Sequence, residues 1–231
     1  MQSVTKTLTD IPFKLDAEVL IRRAGVDAAG DYAEEFAALV KEAGRVARPK
    51  VLYRESFVDE RCAEGVTIDG VAFTSRTLRM NLDKVHRVFP YVATCGRELD
   101  QIPLEPGDCL TQFWLDVIKT AVLGIARNYL GEHLTRRYAL GKTASMNPGS
   151  GDATVWPIEQ QALLFRLFDG AHEQIGVELT DTFLMIPSKT VSGVRFATES
   201  DFRTCQLCHR EVCPSRTAPF DAELWESMQH A

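Results

Sequence analysis

The sequence predicts an α+β fold in which helices and antiparallel hairpins are intermixed. Three observations favour this class. A long segment at residues 110–138 carries apolar residues at helical spacing, short β-rich runs fill residues 50–73, and strands and helices do not alternate regularly. A regular alternation would instead indicate a parallel sheet with helical crossovers.

Composition limits the class of protein before any motif is considered. With 231 residues, 45% hydrophobic and 25% charged, the chain is long enough for one substantial core or two small ones. The net charge of -6 and the lack of basic runs argue against binding to nucleic acid or to an anionic membrane. The start of the sequence does not resemble a leader, and no apolar run approaches the roughly 20 residues of a membrane span. We therefore expect a cytoplasmic protein.

The first third of the chain is predicted to form two helices followed by short strands. Apolar residues recur at helical spacing over residues 17–24 and 31–47, and Pro49 ends the second helix. The runs between residues 50 and 73 are typical of strands, and Asp69-Gly70 is a good hairpin turn.

The middle of the chain is predicted to supply the core. A short helix is expected at residues 78–88, and YVATCG after it is typical of a buried strand that ends at a glycine. Residues 110–138 follow, with one broad apolar face, and we expect them to form a central core helix.

The second half of the chain contains the candidate binding loop. ALGKTASMNPGSGDATVWP, residues 139–157, is rich in Gly, Pro, Ser and Thr and too long for a plain connector. A helix is predicted at residues 159–168. TFLMIPSKTVSGVRFA then predicts two strands joined by a Pro-Ser-Lys-Thr turn, and a last helix is expected at residues 222–228.

Three of the six cysteines lie close together in TCQLCHREVCP, at the spacing C-x2-C-x4-C. In a reducing compartment cysteines are normally free thiols, metal ligands or redox groups rather than structural disulfides. Thiolates at these spacings can surround one metal centre, so we predict that Cys205, Cys208 and Cys213 bind zinc or an iron–sulfur cluster. A fourth ligand would come from His209 or from a distant cysteine. Redox-active or incidental thiols are the alternative interpretation.

Two segments carry a resemblance to a known family. They are PGSGDATVWPIEQQALLFRLFD, from residue 148, and IGVELTDTFLMIPSKTVSGVRF, from residue 175. With ARNYLGEHLTRRYALG and FPYVATCGREL upstream, they resemble the activation domain of cobalamin-dependent methionine synthase over about residues 85–200. The agreement is strongest at Leu179, Thr180, Asp181, Phe183, Met185, Pro187, Val191, Ser192, Gly193 and Phe196.

The resemblance implies a twisted antiparallel sheet with packed helices and a groove that binds S-adenosylmethionine. In this family the domain holds the methyl donor over a corrinoid that has slipped to the inactive cob(II) state, and one electron plus the methyl group regenerate methylcobalamin. The implied partners are a corrinoid methyltransferase, most simply a methionine synthase without its own activation domain, and an electron donor protein. The implied ligand-binding residues are Pro148, Gly149, Ser150, Asp152, Glu159, Ser192, Gly193, Val194 and Arg195.

The chain departs from the family pattern in the binding loop. The family has an arginine ahead of its Pro-Gly-Tyr, which suits a carboxylate, whereas this chain has SMNPGSG, with Ser150 where the tyrosine would sit. One interpretation is that Arg195 or Lys142 binds the carboxylate from another side. The other is that affinity for S-adenosylmethionine is weak or lost.

We expect residues 1–200 to form the activation-domain-like part and residues 201–231 a cysteine-containing extension. An iron–sulfur cluster there could deliver the low-potential electron that reactivation requires. The leading hypothesis is therefore a free-standing accessory protein of methyltransferase type, which reactivates a corrinoid enzyme with S-adenosylmethionine. The alternative is a non-catalytic module for corrinoid docking or electron delivery, with a structural zinc or iron–sulfur site.

Overall fold

The computed structural model describes residues 4–213 and 216–230. In this part of the chain the α-helices are α1 (Ala17–Ala24), α2 (Ala33–Val46), α3 (Arg76–Asn81), α4 (Cys109–Tyr138), α5 (Gln161–Arg166) and α6 (Ala222–His230). The strands are β1 (Thr5–Leu8), β2 (Lys50–Arg54), β3 (Ser56–Cys62), β4 (Gly65–Ile68), β5 (Val71–Thr74), β6 (Arg87–Thr94), β7 (Thr143–Met146), β8 (Glu178–Leu179), β9 (Met185–Ile186) and β10 (Thr190–Ala197). Short 3-10 turns lie at Arg97–Gln101, Ile158–Gln160, Ala171–Ile175 and Thr204–Leu207.

A curled antiparallel sheet of eight strands forms the centre of the described structure. β6 is its middle strand, with β2 and β3 following one another along one side and β10 along the other. β7 pairs with the far side of β10, β1 pairs with β2, and β4 and β5 extend the sheet from β3. The α+β class with an antiparallel sheet is therefore confirmed.

The helix α4 connects two hydrophobic cores on one face of the sheet. Its N-terminal half buries Trp114, Ile118 and Val122 against α1 and α2. Its C-terminal half buries Ala126, Leu130 and Leu134 against β2 and β6. By length and composition alone α4 could cross a membrane, a test that core helices also pass, and these contacts favour the core-helix interpretation.

The opposite face of the sheet carries the largest hydrophobic core. There β6 and β10 present alternate residues, including Val92, Val194 and Phe196, to buried aromatic side chains such as Trp156 and Phe165. The C-terminal segment joins the same core, because Phe202 and Leu207 are buried in it and Trp225 of α6 packs against it. The division of the chain into residues 1–200 and 201–231 stays a prediction. Side chains from both parts pack in the same hydrophobic core.

Several predicted elements have the expected positions. The helices at residues 17–24 and 31–47, the core helix at 110–138 and the last helix all exist, with ends that differ by a few residues. Asp69 and Gly70, with φ values of 44° and 76°, form the predicted turn between β4 and β5. Two residues with positive φ are what a tight hairpin turn requires.

Three predicted elements differ from the structure. The helix predicted at residues 78–88 ends at Asn81, because Arg87 already belongs to the central strand β6, whose pairing on both sides outweighs local helix propensity. The predicted loop at residues 139–157 contains a strand, β7. The two strands of TFLMIPSKTVSGVRFA are not paired with each other: β9 pairs with β8, and β10 pairs with β6 and β7.

We expect Leu130→Ala to lower the free energy of unfolding by about 2–5 kcal/mol, because Leu130 is 1% exposed and its loss leaves a cavity between α4 and the sheet. Leu110→Ala on the same helix is the matched control, since Leu110 is 42% exposed. Its effect should stay within about 0.5 kcal/mol. Urea denaturation followed by circular dichroism measures both. Equal effects of the two substitutions would contradict this account of the α4 core.

Candidate functional site

A cavity of about 1040 Å³ lies where β10 extends beyond β7. β7 pairs only with residues 194–197 of β10, so residues 190–193 are paired with β6 on one side and open on the other. The walls come from the loop after β7, the N-terminal end of α5, the segment around β9 and the segment after β10. This volume is slightly above the usual range for small-molecule sites, about 300–1000 Å³.

The glycine-rich loop after β7 forms one wall and is closed by its own backbone. The Gly149 N–H donates to the Trp156 carbonyl at 2.8 Å, and the Ser150 N–H donates to the Asn147 carbonyl at 3.1 Å. Gly149 has φ of 72°, a left-handed conformation that glycine adopts without strain. Trp156 is fully buried, so it pins the loop to the core instead of lining the cavity.

Two consecutive buried hydrogen bonds connect three walls of the cavity. The Ser192 hydroxyl on β10 donates to Gln161 Oε1 on α5 at 3.0 Å. The Gln161 amide in turn donates to the Phe183 carbonyl at 2.8 Å. Both Ser192 and Gln161 are buried and line the cavity. Because buried polar groups are costly when unpaired, these two hydrogen bonds fix the relative positions of the three segments.

Asn147 directly follows the last residue of β7, at the point where the chain turns away from β10. Its Nδ2 donates to the Tyr91 hydroxyl at 2.8 Å and to the Ser192 carbonyl at 2.6 Å. This contact is possible because Gly193 has no side chain: a Cβ there would collide with Asn147 Nδ2 and with the Met146 carbonyl oxygen. Gly193 is therefore needed for close approach of the two strands.

Arg195 reaches from β10 across to β7. Its Nε donates to the Ser145 hydroxyl at 3.2 Å, and its guanidinium lies over Gly131 of α4, where a Cβ would meet Nη1. Burial lowers the pKa of Arg195, and the positive charge of nearby Arg127 adds to this effect against an opposing contribution from Tyr91. A guanidinium stays protonated in proteins, so the lowered pKa indicates a cation that an anionic ligand would stabilise.

The charges around the cavity are unbalanced. Lys142 pairs with Asp201 at 2.5 Å, and Asp100 pairs with Lys119 at 2.6 Å. Three arginines line the cavity: Arg127, Arg195 and Arg203. None of them has a carboxylate within ion-pair distance among residues 4–213 and 216–230. An excess of positive charge suits a ligand that carries a carboxylate.

The structure brings together five of the nine ligand-binding residues predicted from the sequence. The cavity is lined by Pro148, Gly149, Ser150, Ser192 and Arg195. Gly193 contacts Asn147, which lines the cavity, and Val194 is fully buried in the core that packs on the α5 side of the sheet. Glu159 is exposed outside the lining. Ligand contact stays a prediction for all nine residues, and the cavity lining agrees with it for the five named first.

Asp152 also lies outside the cavity lining. Its carboxylate accepts hydrogen bonds from the backbone N–H and the hydroxyl of Thr154, at 2.9 and 2.7 Å. These bonds, with a smaller contribution from His209 at 3.5 Å, hold the pKa of Asp152 below its usual value. The residue therefore stabilises the loop and links it to the C-terminal segment.

The predicted metal ligands are not brought together as a metal site. Cys205 lines the cavity, whereas Cys208 and Cys213 do not. In the part of the chain that the structure describes, no group of three or more His, Cys, Asp or Glu side chains is arranged to hold a metal ion. The donor set as placed does not fit zinc or an iron–sulfur cluster, and the metal-site prediction is not confirmed.

Comparison with known proteins supports the resemblance over part of the chain. Residues 131–213 match the family described as vitamin B12 dependent methionine synthase, activation domain. The matched segment covers just over a third of the chain, and it runs from the C-terminal half of α4 through the loop and β10 to Cys213. The three clustered cysteines, Cys205, Cys208 and Cys213, therefore lie inside the matched segment, which extends beyond residue 200, where the resemblance seen in the sequence ended.

The fold agrees with that of a solved reactivation domain. The chain superposes on the MetH reactivation domain bound to AdoHcy with a TM-score of 0.57 and 14% sequence identity, over 87% of this chain and 80% of that one. At this identity the likeness establishes the fold. No curated protein matches the sequence.

Sequence reasoning missed several residues of the cavity. Arg127 comes from α4, Asn147 from the corner after β7 and Gln161 from α5. Asn147 and Gln161 are polar residues on either side of the glycine-rich loop, and this position is a weak sequence signal for a place in the cavity wall. Arg127 is one of several arginines on α4, and its position at the cavity depends on how the helix crosses the sheet.

We expect Gly193→Ala to destabilise the protein by about 1–3 kcal/mol, because the added methyl group must displace Asn147 and the β7 backbone. Gly141→Ala is the control, since a Cβ at Gly141 meets nothing within 4 Å. Urea denaturation gives both values. A Gly193→Ala variant as stable as Gly141→Ala would show that the close approach of β7 and β10 is not needed.

Proposed function

We propose that this chain supports the reductive reactivation of a corrinoid methyltransferase, of the methionine synthase type, by holding S-adenosylmethionine in the cavity beside β10. The observation that carries the proposal is the family match at residues 131–213, which contains most of the cavity wall. The fold of the MetH reactivation domain, seen with AdoHcy bound to that protein, supports it.

The cavity fits an S-adenosylmethionine-type ligand in size and in charge. Its volume of about 1040 Å³ leaves room for a nucleoside with an amino-acid arm. The open edge of β10 at residues 190–193 offers backbone groups, and the Gly149 turn forms a wall close to them. These groups would position the ligand without changing its protonation.

Arg195 is the best candidate for the carboxylate of the ligand. The family places an arginine ahead of its Pro-Gly motif, and here Arg195 pairs across the sheet with Ser145, three residues before Pro148. Its guanidinium therefore reaches the strand that leads into the loop. Lys142, the other candidate, is neutralised by Asp201 at 2.5 Å. The charge of the missing family arginine is thus supplied from the neighbouring strand.

Methyl transfer requires the protein to position the methyl donor more than to supply acid or base groups. A sulfonium methyl group transfers without a proton being taken up or released, so the binding site must fix its direction and distance. The corrinoid, supplied by the partner, would accept the methyl group and one electron. The chain's own residues would hold the amino-acid arm at Arg195 and the nucleoside along β10 and the loop.

The proposal includes a partner and a place of action. The partner would be a corrinoid-binding methyltransferase, and an electron donor protein would complete the reaction in the cytoplasm. The alternative, a non-catalytic docking or electron-delivery module with zinc or an iron–sulfur cluster, needs a metal site that the described residues do not form. The cavity and its arginines, which form no ion pair within the described part of the chain, favour the first proposal.

We expect S-adenosylmethionine to bind the full chain at one site, and Arg195→Ala to weaken this binding by about tenfold or more, as loss of a charged hydrogen bond of about 1.5–3 kcal/mol implies. Methylthioadenosine, which lacks the carboxylate, should bind both proteins equally well. Arg166→Ala is the control variant, because Arg166 is exposed and outside the cavity lining. Isothermal titration measures each pair. An equal loss for both ligands would refute the carboxylate role, and no binding of either ligand to the wild-type chain would refute the proposed function.

We expect Gly131→Ala to weaken S-adenosylmethionine binding several-fold while leaving stability nearly unchanged. The new methyl group lies where Arg195 Nη1 now sits, and a long flexible side chain can move away at little cost. Gly124→Ala, on the same helix with nothing within 4 Å of its Cβ, is the matched control. Titration and thermal denaturation separate the two effects. Unchanged binding in Gly131→Ala would contradict the assigned position of Arg195.

A further inference from the structure

Cys205 lies at the wall of the cavity, and Cys208 lies close to the glycine-rich loop, in surroundings that differ from those of the buried Cys95. Cys205 lines the cavity, and the Cys208 Cβ lies 3.7 Å from the position that a Cβ on Gly151 of the glycine-rich loop would take. Both are partly exposed. Cys95, by contrast, is fully buried, and burial raises its pKa to about 12, so it is inert as a nucleophile.

The surroundings of Cys205 favour its thiolate. Partial burial alone would raise the pKa of Cys205, but hydrogen bonds from the Thr217 hydroxyl, the N–H groups of Thr217 and Ala218, and the charge of Arg216 together lower it below its usual value. The Thr217 hydroxyl lies 3.5 Å from Cys205 Sγ. Cys205 is also the one of the three clustered cysteines that lines the cavity among the described residues, so its sulfur is the one that a small disulfide in the cavity would meet.

Arg216 holds the segment between the two cysteines in place. Its guanidinium donates to the Cys205 carbonyl at 3.2 Å, to the Cys208 carbonyl at 3.3 Å and to the Arg210 carbonyl. The Cys208 N–H also donates to the Cys205 carbonyl at 3.3 Å, which closes the 3-10 turn Thr204–Leu207. One side chain thus ties together the carbonyls on both sides of the turn.

The turn places Cys205 and Cys208 at a separation suitable for a disulfide. Three residues at a 3-10 rise of about 2.0 Å each put the two Cα atoms about 6 Å apart. Disulfides require about 4.4–6.8 Å between Cα atoms. We propose that Cys205 and Cys208 form a redox-active dithiol, with Cys205 as the attacking thiol, whose oxidation to a disulfide changes the wall of the cavity.

The oxidant we name is a low-molecular-weight disulfide, R–S–S–R. The Cys205 thiolate attacks one of its sulfurs, forming a mixed disulfide and releasing RS⁻, which takes up a proton. Cys208 then loses its proton to solvent, and its thiolate attacks the Cys205 sulfur, forming the Cys205–Cys208 disulfide and releasing the second RS⁻. Two protein thiols are oxidised, and one small disulfide is reduced to two thiols. The proposal does not depend on the ligand of the cavity.

The test uses the full chain, purified under reducing conditions and assayed first for bound metal. The protein is then incubated with glutathione disulfide, quenched with acid, alkylated and mapped by mass spectrometry. We expect a loss of two hydrogens located in a Cys205–Cys208 disulfide. Cys213→Ser should still form it, whereas Cys208→Ser should stop at a mixed disulfide on Cys205.

A second readout tests the role of Cys205 without oxidation. At neutral pH iodoacetamide should alkylate Cys205 several-fold faster than the exposed Cys109, and Thr217→Val should slow the reaction at Cys205 while leaving Cys109 unchanged. Three results would overturn the proposal: a disulfide that joins Cys205 to Cys213, equal alkylation rates at Cys205 and Cys109, or a metal bound by these cysteines in the purified protein.

Discussion

The difference in length between β10 and its outer neighbour β7 determines the rest of the site. β6 pairs with seven residues of β10, Thr190 to Phe196, whereas β7 pairs with four, Val194 to Ala197. The chain leaves the sheet at Asn147, and no strand in the described structure pairs with the outer edge of β10 at residues 190–193. An open edge of this kind normally invites another strand. Here the glycine-rich loop, α5 and the C-terminal segment surround it and turn it into the wall of a cavity.

The alternation of side chains along β10 and the point at which β7 stops together explain which predicted site residues belong to that cavity. The motif match offered Ser192, Gly193, Val194 and Arg195 as one continuous stretch. A strand sends neighbouring residues to opposite faces, so Ser192 and Val194 share the face that packs against α5, whereas Arg195 points towards α4. Val194 is fully buried where β7 pairs with β10, whereas Ser192 lies in the stretch beyond β7 and lines the cavity. A sequence motif alone does not show which of these residues line the cavity and which are buried in the core, because that depends on how the strand is paired and packed.

The sequence was sufficient for the fold class, the helices with strong periodicity and the loop that forms the main wall of the cavity. Residues 78–88 were predicted as helix because their local pattern allows it, and pairing of Arg87 in β6 overrides that pattern. Arg127 and Gln161 reach the cavity through the crossing of α4 and the docking of α5, which are long-range contacts. The likeness of C-x2-C-x4-C to metal-binding spacings led to a metal site that the described side chains do not form.

The C-terminal segment is anchored on both sides of its cysteines. Phe202 and Leu207 are buried in the core, while His209 packs against Phe220 and Trp225 with ring centroids 4.5 and 4.4 Å away. Cavity wall and thiols therefore belong to one cooperative unit, and local opening of this segment would uncover both together. A ligand that binds only the closed form would slow amide hydrogen exchange from the 3-10 turn to α6, far beyond the residues it touches. We therefore expect ligand occupancy of the cavity and amide protection of the C-terminal segment to rise together.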